Sequence, residues 1–497
     1  MEISGHIAHR ADWAPHDAAL RFDGRTLTFA GLDQAVRNWA GRLRSRGVRA
    51  GDRVAFLGPN CPELMELLHA CGRLGAIFVP LNVRMPAAEL QTFVDQCEPS
   101  LLFAEETYGD VAAAIARDRA VTFQAGSTAD PSASYDGSAG PPLDPGAPVL
   151  IAYTSGTTGP PKGAVFSHQA LTLGALRMIA DEALTAADEV LIASPLFHVA
   201  ALLSLALPSL WAGATLTVHR QFEPGRVLED LQRHRVTRFM STPAMTHALA
   251  SQPGWATADL STLQTVYTGS TFIRPSAVQP WHAKGVPVVQ GYGMTEAPGI
   301  AMTPHGSPPE KVLAGGKPGL LQEVRALDRA GRAVPGGEPG EIWVRSPTMM
   351  LGYWANEDAT QMAIRDGWLA TGDVGVLDAE GYVRIVDRLK DVIIVGTSNV
   401  FPADLEAVLA GCPEIQEAAV VGAPDAELGE VPIACVVPVR GATVNAEAVL
   451  ALFAGRVADY KHPREVVFMD SLPRNAMGKV QKAALRHLVR SLKRGIS

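Results

Sequence analysis

The sequence predicts an α/β protein with a large N-terminal domain of layered α/β subdomains plus a β-rich portion, followed by a small α+β C-terminal domain. Three observations carry this expectation. Strand-like and helical stretches alternate from residue 26 to about residue 290, the signature of α/β layers. Between Val324 and Arg345 the pattern turns to strand and turn, with GGEPGE (Gly336–Glu341) as a turn. A charged pause at Asp387–Asp391 (DRLKD) then precedes a compact segment with its own strand–helix alternation. At 497 residues the chain exceeds one ordinary core, so two or more domains are expected. The boundary is placed to give residues 1–387 and 388–497, with a hinge near 387–391.

The elements follow in order. Leu32–Arg46 has helical spacing and ends at Gly47, Val54–Leu57 reads as a short strand, and Glu63–Leu74 is helical again. Residues 124–148, rich in Gly, Pro, Ser, Asp and Ala, read as a long surface loop. The apolar run Val149–Tyr153 reads as a buried strand and Gln169–Ala180 as a helix, so the segment between them is expected to join strand to helix. Further βα-like units begin at Val190–Ala193, Thr215–His219, Phe239–Thr242, Thr265–Thr268 and Val286–Gln290. In the closing segment the candidate elements are Val392–Val395, Pro402–Leu409, Ile415–Gly422, Ile433–Val439 and Ala446–Ala458.

Composition narrows the function classes. An apolar fraction of 47% with 19% charged residues is that of a soluble globular chain. A net charge of −8 argues against a nucleic-acid binder, which carries a basic footprint. Cys61, Cys71, Cys97, Cys412 and Cys435 show neither CxxC pairing nor metal-type spacing, so free thiols in a reducing compartment are expected. The N-terminus lacks the charged start and apolar core of a secretory signal. The most apolar stretch, Ala200–Leu216, is broken by Pro208 and Gly213 and falls short of a membrane span. A cytoplasmic location is the simplest expectation.

The most informative string is Tyr153–Ala164, YTSGTTGPPKGA. It gathers the hydroxyls of Thr154, Ser155, Thr157 and Thr158, the glycines Gly156, Gly159 and Gly163, and Lys162. Glycines let backbone N–H groups turn toward an anion, hydroxyls add donors and lysine adds charge, so the composition suits a polyphosphate. The spacing is not GxxxxGK[ST]. Further along stand QGYGMTE (Gln290–Glu296), TGD (Thr371–Asp373) with Asp387–Arg388, and PRNAMGKVQK (Pro473–Lys482).

This ordered set, running from about Thr26 to Lys482, resembles the adenylate-forming superfamily, in its AMP-dependent acyl-CoA synthetase and aryl-CoA ligase branch. The resemblance implies an AMP-forming acid–thiol ligase that joins a carboxylic acid to the α-phosphate of ATP and then passes the acyl group to CoA. It implies ATP and CoA as small-molecule partners, Mg²⁺ as cofactor and a small C-terminal domain that swings between the half-reactions; a homodimer is left open. By the same resemblance Thr154, Ser155, Gly156, Thr157, Thr158, Gly159 and Lys162 hold pyrophosphate. Gln290 and Gly291 belong to the ATP site, Tyr292 packs on adenine, Thr295 donates to phosphate, and Glu296 helps hold the metal. Asp373 anchors the ribose hydroxyls and Arg388 complements the nucleotide. Lys479 meets the carboxylate and α-phosphate during adenylation, and Lys390 falls at the hinge.

The segment PLFHVAA (Pro195–Ala201) matches an acyl-pocket motif, with His198 at the mouth beside Val199. Thr268, Gly269, Ser270, Gly293, Met294 and Pro298 complete the expected pocket. These residues are small or apolar and offer no cation, which disfavours a dicarboxylate, and the absence of an aspartate near His198 disfavours an amino acid. Aromatic and medium-chain aliphatic acids both remain open. The chain departs from the pattern at Gly396-Thr397, where many CoA-forming relatives have two glycines, so a branched side chain borders the expected pantetheine tunnel. Two alternatives follow: an adenylating enzyme that loads a carrier-protein thiol, and a nucleotide-binding protein with reduced catalysis.

Overall fold

The computed structural model describes residues 3–125, 135, 144–154, 161–269, 273, 275–312, 315–474 and 480–494. Among these residues the strands form four sheets. The first runs Gly352–Tyr353, Lys162–Ser167, Pro148–Thr154, Ile77–Leu81, Arg53–Leu57, Leu101–Glu105 and Ala120–Phe123. Its inner strands are parallel, and Lys162–Ser167 pairs antiparallel with both of its neighbours.

The second sheet is parallel from Val288–Met294 through Thr265–Gly269, Arg238–Met240, Glu189–Ile192 and Thr215–Val218 to Ala18–Phe22. Strand alternation explains how the two sheets stack. Val54 and Phe56 on the first sheet and Val190 and Ile192 on the second enter one shared core. The helices Phe29–Ser45 and Pro62–Leu74 lie in that same core. Ala55 and Leu57 face a separate core beneath Ala87–Cys97, while Leu191 and Ala193 face another beneath Pro224–Arg233. The result is five alternating layers of helix and sheet, in which parallel strands are covered on both faces.

The expected β-rich portion is an antiparallel sheet of Glu323–Leu327, Pro339–Arg345, Trp368–Leu377, Ile364–Arg365 and Val383–Arg388. The fourth sheet is built from Ile393–Val395, Ser398–Val400, Ile415–Asp425, Gly429–Pro438 and Glu465–Phe468. Its two faces carry separate apolar cores, one under Pro402–Ala410 and the other under Lys482–Arg494.

One local expectation is corrected. The phosphate-type loop does not pass from strand to helix. Lys162–Ser167 forms a further strand, registered Tyr153↔Gly163 and Thr154↔Lys162, and the helix His168–Asp181 begins only after it. Ser167 caps that helix through the Ala170 N–H at 3.1 Å. The helix N-terminus therefore lies at the far end of the hairpin from the loop, and its dipole does not serve the loop.

Candidate nucleotide and acid site

The site lies where the first three sheets end near one another. At the hairpin tip, Thr154 Oγ1 donates to the Lys162 carbonyl at 3.3 Å, which ties the two ends of the loop together. Ser155, Gly156, Thr157, Thr158 and Gly159 lie outside the described residues, as do Ser270 and Lys479.

A second hairpin supplies the metal candidate. Val288–Met294 and Ala297–Met302 pair with Met294 opposite Ala297, leaving Thr295 and Glu296 as a two-residue tip. Glu296 is buried; its carboxylate accepts a hydrogen bond from Tyr353 Oη at 2.7 Å, and its carbonyl accepts from Met350 N at 2.8 Å. Burial, with the Glu296 charge beside it, holds the Tyr353 hydroxyl well above the usual phenol range, so it stays a donor. Tyr353 pairs with Ala164 on the hairpin that carries Lys162, and Lys162 Nζ lies 5.0 Å from the centre of its ring.

A third group holds the sugar candidate. Asp373 and Arg388 are cross-strand partners, and Arg388 Nε approaches Asp373 Oδ1 at 2.6 Å. Tyr292 Oη donates to Asp373 Oδ2 at 2.8 Å, and the Asp373 N–H donates to Thr371 Oγ1 at 3.1 Å. Burial and the neighbouring Asp373 charge push the Tyr292 hydroxyl well above its ordinary range. Residues far apart in the chain thus share one anchored ring and one buried carboxylate.

The wall of the expected acid pocket is built by close backbone approach. Thr268 lies opposite Gln290 and Gly269 opposite Gly291 on paired parallel strands. A Cβ on Gly269 would collide with the Gly291 carbonyl, and one on Gly293 would stand 2.6 Å from the Gly299 N. Thr268 Oγ1 and Gln290 Oε1 are buried without a hydrogen-bond partner among the described residues.

His198 and Val199 open a helical stretch, Val199–Ala212, that contains a π-helical turn at Leu202–Ala206. The loop before it is held by Asn60, whose side chain accepts from Leu196 N at 2.7 Å and donates to the Ser194 carbonyl at 2.9 Å. The helix reaches a small cavity of about 20 Å³ lined in part by Leu203, Ser204, Leu207, Pro298, Thr348 and Arg177.

Sequence reading missed Arg177, Asn60 and Tyr353. Arg177 is buried, donates to Asp181 at 3.1 Å and keeps Nε without a partner among the described residues. Arg177 thus borders this small cavity together with Pro298, a residue of the expected acid wall. Arg177 sits in an amphipathic helix where an arginine reads as a solvated face; Asn60 and Tyr353 lie in short segments without a distinctive pattern.

Gly396 and Thr397 form the two-residue turn between Ile393–Val395 and Ser398–Val400, with Gly396 at φ 61° and Thr397 exposed. Lys390 is exposed, and its carbonyl accepts from Arg486 at 3.1 Å. Arg486 also pairs with Asp391.

Comparison with known proteins identifies the family. The AMP-binding enzyme family model matches residues 7–354, and the AMP-binding enzyme C-terminal domain model matches residues 404–479. The chain belongs to the AMP-binding enzyme family. A feruloyl-CoA synthase of Amycolatopsis sp is 41% identical, covering 96% of this chain and 97% of that protein. An indoleacetate–CoA ligase of Aromatoleum aromaticum is 40% identical, covering 98% of each.

The solved structure of ATP-bound MatB from Rhodopseudomonas palustris superposes with a TM-score of 0.91 at 31% identity, covering 99% of this chain and 100% of that one. As an AMP-binding enzyme of the acyl-CoA synthetase branch, the chain is an AMP-forming acid–thiol ligase that activates a carboxylic acid with ATP. Its fold is that of the ATP-bound relative. Among the described residues no helix is long and apolar enough to cross a membrane.

Proposed function

We propose that the protein activates an aromatic carboxylic acid as its adenylate and transfers the acyl group to CoA. The observation that carries the reading is the convergence of three independent strand ends. Thr154 and Lys162 stand at the phosphate loop, Glu296 under Tyr353 at a hairpin tip, and Tyr292 with Arg388 on Asp373. Phosphates, metal and sugar would then occupy successive positions along one groove. The names of the relatives above support an aryl acid, and Gly291, where a Cβ would meet nothing closer than 3.9 Å, leaves room for a flat ring.

The donor set fits Mg²⁺. Glu296 offers carboxylate oxygen beside the loop that would hold phosphate oxygens, and no cluster of three or more His, Cys, Asp or Glu that could hold a metal exists among the described residues. A hard cation that prefers phosphate and water oxygens needs no more from the protein. When bound, Mg²⁺ would neutralise charge on the phosphates.

The protein's own residues position the reactants. Lys162 and Thr154 hold the departing pyrophosphate, and Thr295 donates to phosphate. Asp373 accepts from the ribose while Tyr292 fixes its orientation. Lys479 would neutralise charge between the incoming carboxylate and the α-phosphate. His198 and Val199 line the acid's entry, with Thr268, Ser270, Met294 and Pro298 along its wall.

Since pyrophosphate and AMP are both good leaving groups, positioning and charge neutralisation supply most of the rate, without an acid–base pair. For the second half-reaction the segment 388–497 would rotate about Lys390 and bring the Gly396–Thr397 turn to the pantetheine arm. A panel of aryl, fatty and dicarboxylic acids, scored by pyrophosphate release and then by AMP release with and without CoA, tests the reading. Aryl acids with CoA should turn over fastest, and Lys479→Ala should bind ATP yet lose pyrophosphate release. Turnover to ADP, or full activity in that variant, would overturn it.

A further inference from the structure

We infer that Tyr353 is a positioning residue for metal binding, holding the Glu296 carboxylate and linking it to Lys162; the inference rests on the reading of Glu296 as the metal carboxylate. Tyr353 stands between the two groups. Its hydroxyl donates to Glu296 Oε1 at 2.7 Å, and its ring lies 5.0 Å from Lys162 Nζ. The tyrosine is itself fixed three ways. Its strand pairs with the Lys162 hairpin at Ala164, its N–H donates to Thr360 Oγ1 at 2.8 Å, and the next residue's N–H donates to the Gly163 carbonyl at 2.8 Å.

A buried carboxylate at a two-residue hairpin tip has several accessible rotamers, and a metal ion needs one of them. The Tyr353 hydroxyl holds one oxygen and leaves Oε2 as the donor atom for a metal. The aromatic face meanwhile gives the lysine a resting place that competes weakly with a phosphate. Arrival of a triphosphate would draw Lys162 off the ring while the hydroxyl keeps the carboxylate aimed. Tyr353 therefore couples the phosphate loop to the metal carboxylate through one side chain.

The test uses the full chain, MgCl₂ and α,β-methylene-ATP, with affinity followed by calorimetry over a range of Mg²⁺ concentrations. Tyr353→Phe keeps the ring and removes the donor. It should raise the Mg²⁺ concentration that gives half of the affinity gain by roughly tenfold, the effect expected on losing an outer-shell partner, and leave the metal-free affinity unchanged. Glu296→Gln is the reference and should abolish the gain. If Glu296→Gln abolishes it while Tyr353→Phe behaves as the parent protein, the role of Tyr353 is refuted. If Glu296→Gln keeps the gain, the reading of Glu296 itself has failed. A Tyr353→Phe variant that only melts earlier, with its Mg²⁺ response intact, marks a purely structural tyrosine and also refutes the inference.

Discussion

At Asp373 one carboxylate meets both Tyr292 and Arg388. It is buried on its strand, accepts from Tyr292 Oη and meets Arg388, which is about half exposed. Asp373→Asn removes the charge and leaves one amide oxygen to accept. A hydrogen bond to a charged group is worth about 1.5–3 kcal/mol, so ATP affinity should fall by roughly 10- to 100-fold. Nucleotide titration calorimetry checks this, and an unchanged affinity would exclude Asp373 from the sugar site. TGD by itself was weak evidence in the sequence, because Gly-Asp is ordinary turn chemistry. Its partnership with Tyr292 depends on a contact across 81 positions, which no local pattern encodes.

At the level of the element, most strands and helices were legible because their burial is periodic. The helix expected at Glu63–Leu74 spans Pro62–Leu74, and the strand expected at Val54–Leu57 spans Arg53–Leu57. The strand Lys162–Ser167 was not legible. Its inner residues Gly163, Ala164 and Val165 are buried on both sides of the pleat, so no alternation marks them, and a Pro-Pro-Lys-Gly start reads as loop. The glycine-built wall was seen in the sequence as spare room; the structure adds that Gly269 is demanded by contact between neighbouring strands. Gly269→Ala should push apart Thr265–Gly269 and Val288–Met294. The cost should be about 1–3 kcal/mol of stability, read by urea unfolding, together with a loss of acid affinity.

Across the whole molecule, stability carries a pH signature set in the helical layer between the first two sheets. Glu66, in the helix Pro62–Leu74, accepts from Trp39 Nε1 at 2.8 Å, and burial together with Glu63 raises its carboxyl to about 8. The folded protein thus retains a proton that the unfolded chain releases near 4.5, so this group's contribution to stability declines as pH rises from about 4.5 to 8. Glu66→Gln should remove that decline. Its melting temperature relative to the parent should increase steadily between pH 5 and pH 8, and a pH-independent difference would contradict the linkage.

The hairpin that carries the phosphate loop has a last consequence. Because Thr154 and Lys162 are locked opposite each other and Tyr353 pairs beyond them, the stem behaves as a socket. Loop cassettes from relatives could be exchanged between those two positions without altering the sheet. Removing one inner residue from Lys162–Ser167 would instead turn every following side chain to the opposite face, moving Phe166 from the shared core into the core beneath Ala87–Cys97 and dislodging the tyrosine from its carboxylate.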